Sequence, residues 1–274
     1  MGIVQGIALA AALLAAAVAG GAWAFQTWGI YRFASSAQTP ADLGLKDVRV
    51  QGYPSEDGAM IHAWIADPGP GHPVILSFFG NSAAIGPSMA RLMPLVDAGY
   101  GLVMMEYRGS GATRGRPGEA AFARDARALY DRLDALLGRQ VAAQDRVLHG
   151  FSLGAGVGSR LAATRPFAAV ILEAAPLRSC LYYQDRYFGI PFCRILWDER
   201  YDVVNYVRAI TAPKLFVHGA LDPVLPVGRA RLLAEAAPPP STFVELPAGH
   251  HADLAQVGLI PAIESFLAGI VPAR

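Results

Sequence analysis

The chain has 274 residues, 53% of them hydrophobic, and a formal net charge of +1 from 23 Lys and Arg against 22 Asp and Glu. No cluster of Lys and Arg forms a basic face, which argues against nucleic acid as a partner. The length suits one large α/β domain or two small ones once the apolar N-terminal part is set aside.

Residues Ile3 to Ile30 carry no charged side chain, and Ile3 to Ala24 are mostly Ala, Leu, Val and Ile. At about 1.5 Å rise per residue, a helix of that length crosses a hydrocarbon core of roughly 30 Å. Trp23, Trp28 and Tyr31, followed by Arg32, resemble an interfacial aromatic anchor. Residues 1–32 are therefore read as a single-pass N-terminal membrane anchor. A cleaved signal peptide is the rival, because Ala22-Trp23-Ala24 fits a small-x-small cleavage site, although no Lys or Arg precedes the apolar run. The side of the membrane stays open. Arg32, Lys46 and Arg49 after the span favour a cytoplasmic domain. Cys180 and Cys193, the only two cysteines, are spaced as a disulfide of an oxidising compartment would be, or they are two unpaired apolar thiols.

Residues 33–46, with Ser35, Ser36, Pro40 and Gly44, read as a linker with little apolar surface, so the anchor is expected to serve location and not folding. Residues 47–274 form the expected domain. Asp47 to Gly52 and Ala59 to Ala66 read as antiparallel strands around an Asp57-Gly58 turn. From there strand and helix alternate, which predicts parallel pairing and right-handed crossovers. Strand-like runs lie at 74–79, 102–107, 146–149, 168–173, 214–218 and 242–246. Helical stretches lie at 85–98, 119–137, after residue 152, at 228–236 and at 254–270. The fold class is α/β, a mostly parallel sheet with helices on both faces. About forty residues between 173 and 214 exceed a short connection, and such insertions in compact domains are usually functional.

The run at 146–149 leads into Gly150-Phe151-Ser152-Leu153-Gly154, followed at once by a small-residue helix pattern. That is the strand, tight turn and helix of a nucleophile elbow, with Ser152 as nucleophile. Gly150 and Gly154 leave room where a Cβ would strike neighbouring backbone. The Leu153 N–H, at the helix N-terminus, points where an oxyanion would form. A serine hydroxyl needs a base to take its proton and an acid to orient that base. Asp222 follows the strand-like run at 214–218 and is the candidate acid. The loop Pro247-Ala248-Gly249-His250-His251-Ala252-Asp253 comes after the last strand, and His250, directly after the turn glycine, is the expected base. His251 is expected to be a surface or capping residue, and His218 to be hydrogen-bonded within the fold.

Ser152, Asp222 and His250 thus occur in the order nucleophile, acid, base, and from residue 47 onward the chain resembles the α/β-hydrolase fold superfamily. Phe79-Gly80-Asn81-Ser82 and Glu106-Tyr107-Arg108-Gly109-Ser110-Gly111 resemble the His-Gly-Asn and Asp-Tyr-Arg-Gly-x-Gly loops of membrane-anchored serine hydrolases of that superfamily. The resemblance implies that the backbone N–H of Asn81 joins that of Leu153 in an oxyanion hole. Phe79 in place of His and Glu106 in place of Asp are departures that bear on contacts behind the site and on substrate preference. The segment 177–210 carries Tyr182, Tyr183, Tyr187, Tyr201 and Tyr206, and reads as a lid over the acyl part of a substrate or as ordinary packing over the sheet edge.

No metal or nucleotide motif accompanies these residues, and no cofactor is expected. The expected activity is hydrolysis of a carboxylic ester or thioester, on an acylated or lipid-like substrate near a membrane. A peptidase or amidase of the same fold, or a catalytically silent membrane-tethered binding protein, are the alternatives.

Overall fold

Apolar runs without polar alternation are stable as strands only when both faces of their sheet are covered, and such runs form the middle of this molecule. In a computed structural model of the chain, which describes residues 2–33 and 38–271, eight strands are formed: β1 (Val48–Pro54), β2 (Met60–Ala66), β3 (Val74–Phe78), β4 (Gly101–Met105), β5 (Arg146–Phe151), β6 (Ala169–Glu173), β7 (Lys214–Gly219) and β8 (Ser241–Leu246). They make one sheet in the order β1-β2-β4-β3-β5-β6-β7-β8. Every residue of β3, β4, β6 and β7 is buried.

The expected N-terminal hairpin is present. β1 and β2 pair antiparallel with Pro54 opposite Met60, and Gly58 closes the turn at φ 80°, a left-handed conformation open to glycine. β2 also pairs antiparallel with β4, and all later pairings are parallel. The C-terminal ends of β3, β5, β7 and β8 consequently open onto one edge.

Three stretches read as single helices are broken. The stretch 85–98 divides into Ile85–Ala90 and Met93–Asp97, where Pro94 cannot donate a backbone hydrogen bond and so restarts the helix. The stretch 119–137 divides at Arg132, and 254–270 divides at Gly258, whose φ is 133°.

The long insertion contains helices Ser179–Arg186, Phe192–Ile195 and Val203–Ala209. Cys180 and Cys193 are joined in a disulfide, with their Cα atoms 4.9 Å apart. Beside it Ile30, Tyr183, Phe192 and Leu196 form a small apolar cluster separate from the main core.

The helix Ile3–Ala24 continues as a π-helical turn, Phe25–Gly29, and the span Ile3–Gly29 is long and apolar enough to cross a membrane, with a mean hydropathy of 2.2. The end of this span departs from the expected boundaries. Residues 34–37 of the linker lie outside the described residues, but residues 25–33 are packed into the domain. Phe25 meets Tyr183 and Phe192 with ring centroids 5.1 Å away in each case, and Ile30 is 3% exposed. Phe33 stacks on Tyr107 at 5.3 Å. A division between an anchor ending at residue 32 and a linker beginning at 33 therefore cuts through a packed segment. The apolar pattern of 25–33 reads the same whether its surroundings are lipid or protein.

Candidate active site

Ser152 lies between the last residue of β5 and the first residue of the helix Leu153–Ala162, at φ 52° and ψ −114°. A non-glycine residue in that region is strained and persists only where its surroundings enforce it. Here the Ser152 N–H donates to the Glu173 carbonyl at the end of the neighbouring β6, at 2.9 Å. A Cβ on Gly150 would strike the backbone of Gly154 and Ala155, and one on Gly154 would strike the Phe78 carbonyl. Both glycines are required by the closeness of the helix to β3 and β5.

The hydroxyl of Ser152 lies 3.0 Å from His251 Nε2, and His251 Nδ1 lies 2.8 Å from Asp222 Oδ2. Asp222 follows β7 as expected. Burial alone would raise its carboxyl pKa, but hydrogen bonds from His218 and His251 and from the Leu225 backbone N–H outweigh that and hold it well below the usual carboxylate range. An ionised Asp222 accepts from His251 Nδ1–H and leaves Nε2 as the lone-pair nitrogen facing Ser152.

The histidine at this position is His251, and the expectation of His250 is corrected. The loop after β8 packs tightly on the end of β7, with Leu221 N–H donating to the Gly249 carbonyl at 2.9 Å. Two successive side chains leaving that loop diverge. His250 turns to solvent, its side chain 54% exposed, and is taken by Asp253, which accepts from its backbone N–H at 2.6 Å and lies 2.9 Å from its Nδ1. His251 turns under the loop, with 17% of its side chain exposed. Asp253, three positions after His250, was the signal in the sequence: it offers His250 a local partner and leaves His251 for the remote one.

His218, at the end of β7, was expected only to be hydrogen-bonded within the fold. Its Nε2 lies 2.9 Å from the Leu225 carbonyl and 3.2 Å from Asp222 Oδ2, so the same nitrogen braces the acid and the turn that carries it. Behind Ser152 a second buried chain runs from Ser77 Oγ to His149 Nδ1 at 3.0 Å and from His149 Nε2 to Glu173 Oε2 at 3.0 Å. Arg91 completes it, reaching Glu173 at 2.9 Å through one nitrogen and more closely through another. Burial works to raise the Glu173 pKa, but the Arg91 charge and the His149 hydrogen bond prevail and leave it at about 2.

Asn81 and Leu153 border the same cavity as Ser152 and His251, a space of about 290 Å³ whose wall also includes Tyr182, Tyr183 and Leu225. The Leu153 N–H, at the first position of its helix, has no intrahelical acceptor. The loop carrying Asn81 is fixed from below by Tyr107, whose hydroxyl donates to the Phe79 carbonyl at 2.9 Å. The two departures in sequence have defined places. Phe79 packs on Tyr107 with centroids 4.4 Å apart. Glu106 accepts from Thr113 Oγ1 at 2.6 Å and from the Ala112 N–H at 3.2 Å, so it closes its own loop. Arg108 of that loop is bound by Asp125 and Asp57.

Neither lid nor packing alone describes residues 177–210. Tyr182 and Tyr183 border the cavity, while Tyr201 is buried in the main core and Tyr206 donates to Glu119 Oε1 at 2.6 Å.

No protein-family model matches the chain. It is 32% identical over 239 residues to the alpha/beta hydrolase domain-containing protein WAV2 of Arabidopsis thaliana, an overlap of 78% of this chain and 75% of that protein. It is 29% identical over 249 residues to an uncharacterised protein of Mycobacterium tuberculosis, covering 88% and 86% of the two. In three dimensions it is similar to the Pyrococcus furiosus esterase Pf2001, with a TM-score of 0.68 at 17% identity over 88% of this chain and 97% of the esterase.

Proposed function

Since the chain belongs to the α/β-hydrolase superfamily, we propose that it is a serine hydrolase that cleaves a carboxylic ester or thioester of an acylated or lipid-like substrate through an acyl-enzyme. The observation that carries this reading is the unbroken chain from Ser152 Oγ through His251 to Asp222, with contacts of 3.0 and 2.8 Å.

In the first half-reaction Ser152 Oγ attacks the substrate carbonyl while His251 Nε2 accepts its proton. Asp222 stays ionised and stabilises the imidazolium that forms. The carbonyl oxygen becomes an oxyanion that the backbone N–H groups of Asn81 and Leu153, residues bordering the cavity, bind. When the tetrahedral centre collapses, His251 returns the proton to the departing alcohol or thiol, leaving the acyl group on Ser152. Water then attacks the acyl-enzyme with His251 as base, and the same steps release the carboxylic acid.

Two features favour an apolar acyl group. The cavity wall includes Tyr182, Tyr183, Val224 and Leu225. The insertion also presents Phe188, Ile190 and Trp197 to solvent, and its helix Phe192–Ile195 touches the apolar N-terminal helix. A substrate held in or near a bilayer suits that arrangement.

The test is covalent labelling with a fluorophosphonate, together with hydrolysis of acyl esters, thioesters and amides of graded chain length. Labelling at Ser152 with turnover of esters or thioesters is expected, and Ser152→Ala should remove both. Preferential turnover of amides would move the assignment to an amidase or peptidase. A folded protein that neither labels nor hydrolyses any of them would make it a silent binding protein.

A further inference from the structure

We infer that the segment after the N-terminal helix is a working part of the active site, and that the Asn81 side chain is the positioning residue through which it holds the oxyanion loop. The inference rests on Ser152 as nucleophile and the Asn81 amide as an oxyanion donor.

A pair of hydrogen bonds carries it. Asn81 Nδ2 donates to the Ile30 carbonyl at 2.7 Å, and Asn81 Oδ1 accepts from the Arg32 N–H at 3.1 Å. A carboxamide has one donor face and one acceptor face, as a peptide unit has. It therefore pairs with residues 30 and 32 as a neighbouring strand would, straddling Tyr31. Only one orientation of the amide satisfies both partners, because the flipped group sets oxygen against oxygen and nitrogen against nitrogen.

The segment so gripped is itself fixed. Tyr31 Oη contacts Glu199 and lies 2.7 Å from Tyr201 Oη, while the Asp198 N–H donates to Gln26 Oε1 at 2.9 Å. Phe33 lies against Phe79 and Tyr107, which hold the other side of the same loop. Beyond Asn81 comes Ser82, at φ 62° in the region that favours glycine, so the loop is held in a conformation it would not keep unaided. The Asn81 amide nitrogen is thus aimed by its own side chain, whose far end is anchored on a segment some fifty positions earlier. The arrangement stands whether the apolar helix is retained as an anchor or removed after Ala24.

The experiment uses the full-length protein in detergent micelles and a short water-soluble ester. Asn81→Ala keeps the backbone N–H and loses its tether. The expected result is a fall in kcat of about ten- to hundredfold, the scale of a misplaced group, with KM nearly unchanged. The affinity of a trifluoromethyl ketone, which forms an oxyanion on adding to Ser152, should fall by the same factor, while a non-adding alcohol analogue binds as before. Arg32→Pro, which removes one of the two bonds from the other side, should lower the same two quantities and add little to Asn81→Ala when combined with it. Where Asn81→Ala does not fold, the near-isosteric Asn81→Asp decides, since it keeps the acceptor for Arg32 and loses the donor to Ile30, and a partial loss of kcat is expected. Unchanged kcat and ketone affinity in a folded Asn81 variant, or a loss confined to KM, would overturn the inference. Ser152→Ala in the same assay separates the two claims: if it is inactive while the Asn81 variants behave as the parent, only the tether is wrong, and if it is active the reading of the whole site falls.

Discussion

On the floor of the cavity, Ser152 and Asp222 follow β5 and β7, strands whose inner residues are buried, and His251 follows β8 at the edge of the same sheet. The cover of the cavity is made differently. The insertion and the segment 25–33 are held by tyrosine hydroxyls, by Glu119 and Glu199, and by one disulfide. A floor built from a parallel sheet draws most of its strength from buried area and ladder hydrogen bonds, which do not titrate, with the ionised Asp222 and Glu173 as exceptions. A cover built from carboxyls and sulfur responds to pH and to reductant. Changes at the floor should therefore appear in the chemical step, and changes in the cover mainly in stability and access, apart from the tether of residues 30 and 32 to Asn81, which reports in kcat.

The sharpest separation is between neighbouring histidines. His251→Ala should lower kcat/KM by on the order of 10⁴-fold or more, and Asp222→Asn by about 10⁴-fold because it favours the wrong tautomer, each with the fold preserved. His250→Ala should change kcat/KM by less than about threefold, as surface substitutions of about ±0.5 kcal/mol do. Steady-state kinetics on a short ester checks all three, and a large loss in His250→Ala with a small one in His251→Ala would reverse the roles.

On the cover, the disulfide closes a loop of 13 positions and should stabilise it by roughly 3 kcal/mol on the chain-entropy estimate. Replacing both Cys180 and Cys193 by Ser should speed hydrogen exchange across residues 179–196 and lower the melting temperature, while Ser152 still reacts with a small fluorophosphonate. Loss of that reaction would show that floor and cover are not separable. Mass spectrometry of protein alkylated without reduction reports directly on whether the bond is made.

Glu199 supplies a smaller, pH-dependent effect. Burial raises its pKa from an ordinary 4.5 to about 7, against hydrogen bonds from Tyr31 and the Glu119 N–H, with Glu119 and Asp198 adding repulsion. Between those two values the folded protein holds a proton that the unfolded chain has released, so the stability drawn from this group is full below the window and is lost as pH rises through it. Asp222 has the opposite sign: its carboxyl is held below the ordinary 3.8, so its contribution stands above that value and fades in acid. Denaturation midpoints measured from pH 4.5 to 8 should decline for the parent and flatten for Glu199→Gln. Parallel declines would remove Glu199 as the cause.

The floor was legible because its signals are local. All eight strands lie where apolar runs or alternation placed them, and Gly150, Ser152 and Gly154 show a backbone requirement through three small residues in five. The choice of histidine was harder, because adjacent side chains of an irregular loop have no periodicity to sort them, and only Asp253 distinguished them. The cover was legible only in part: the insertion with its tyrosines and its cysteine pair stood out, but the contacts that fasten it did not. Tyr31 and Glu199 are an ordinary tyrosine and an ordinary glutamate, and nothing at either position announces the other. An Asn that pairs like a peptide unit is equally silent. The helix breaks at Pro94 and Gly258 were visible as residues, but apolar periodicity continued across both.

That pairing of distant residues has a consequence in time. Tyr31 and Glu199 are separated by 168 positions, and chains are synthesised at about 5–20 residues per second, so the tyrosine waits roughly ten to thirty seconds for its partner. During that interval Ser152 and its glycine turn have already been made, but neither the acid nor the histidine of the triad has. The newborn chain thus carries its nucleophile without a base, and Tyr31 without the carboxyl group that its hydroxyl will contact. Synthesis order alone delays assembly of a competent centre until His251 emerges, 99 positions after Ser152.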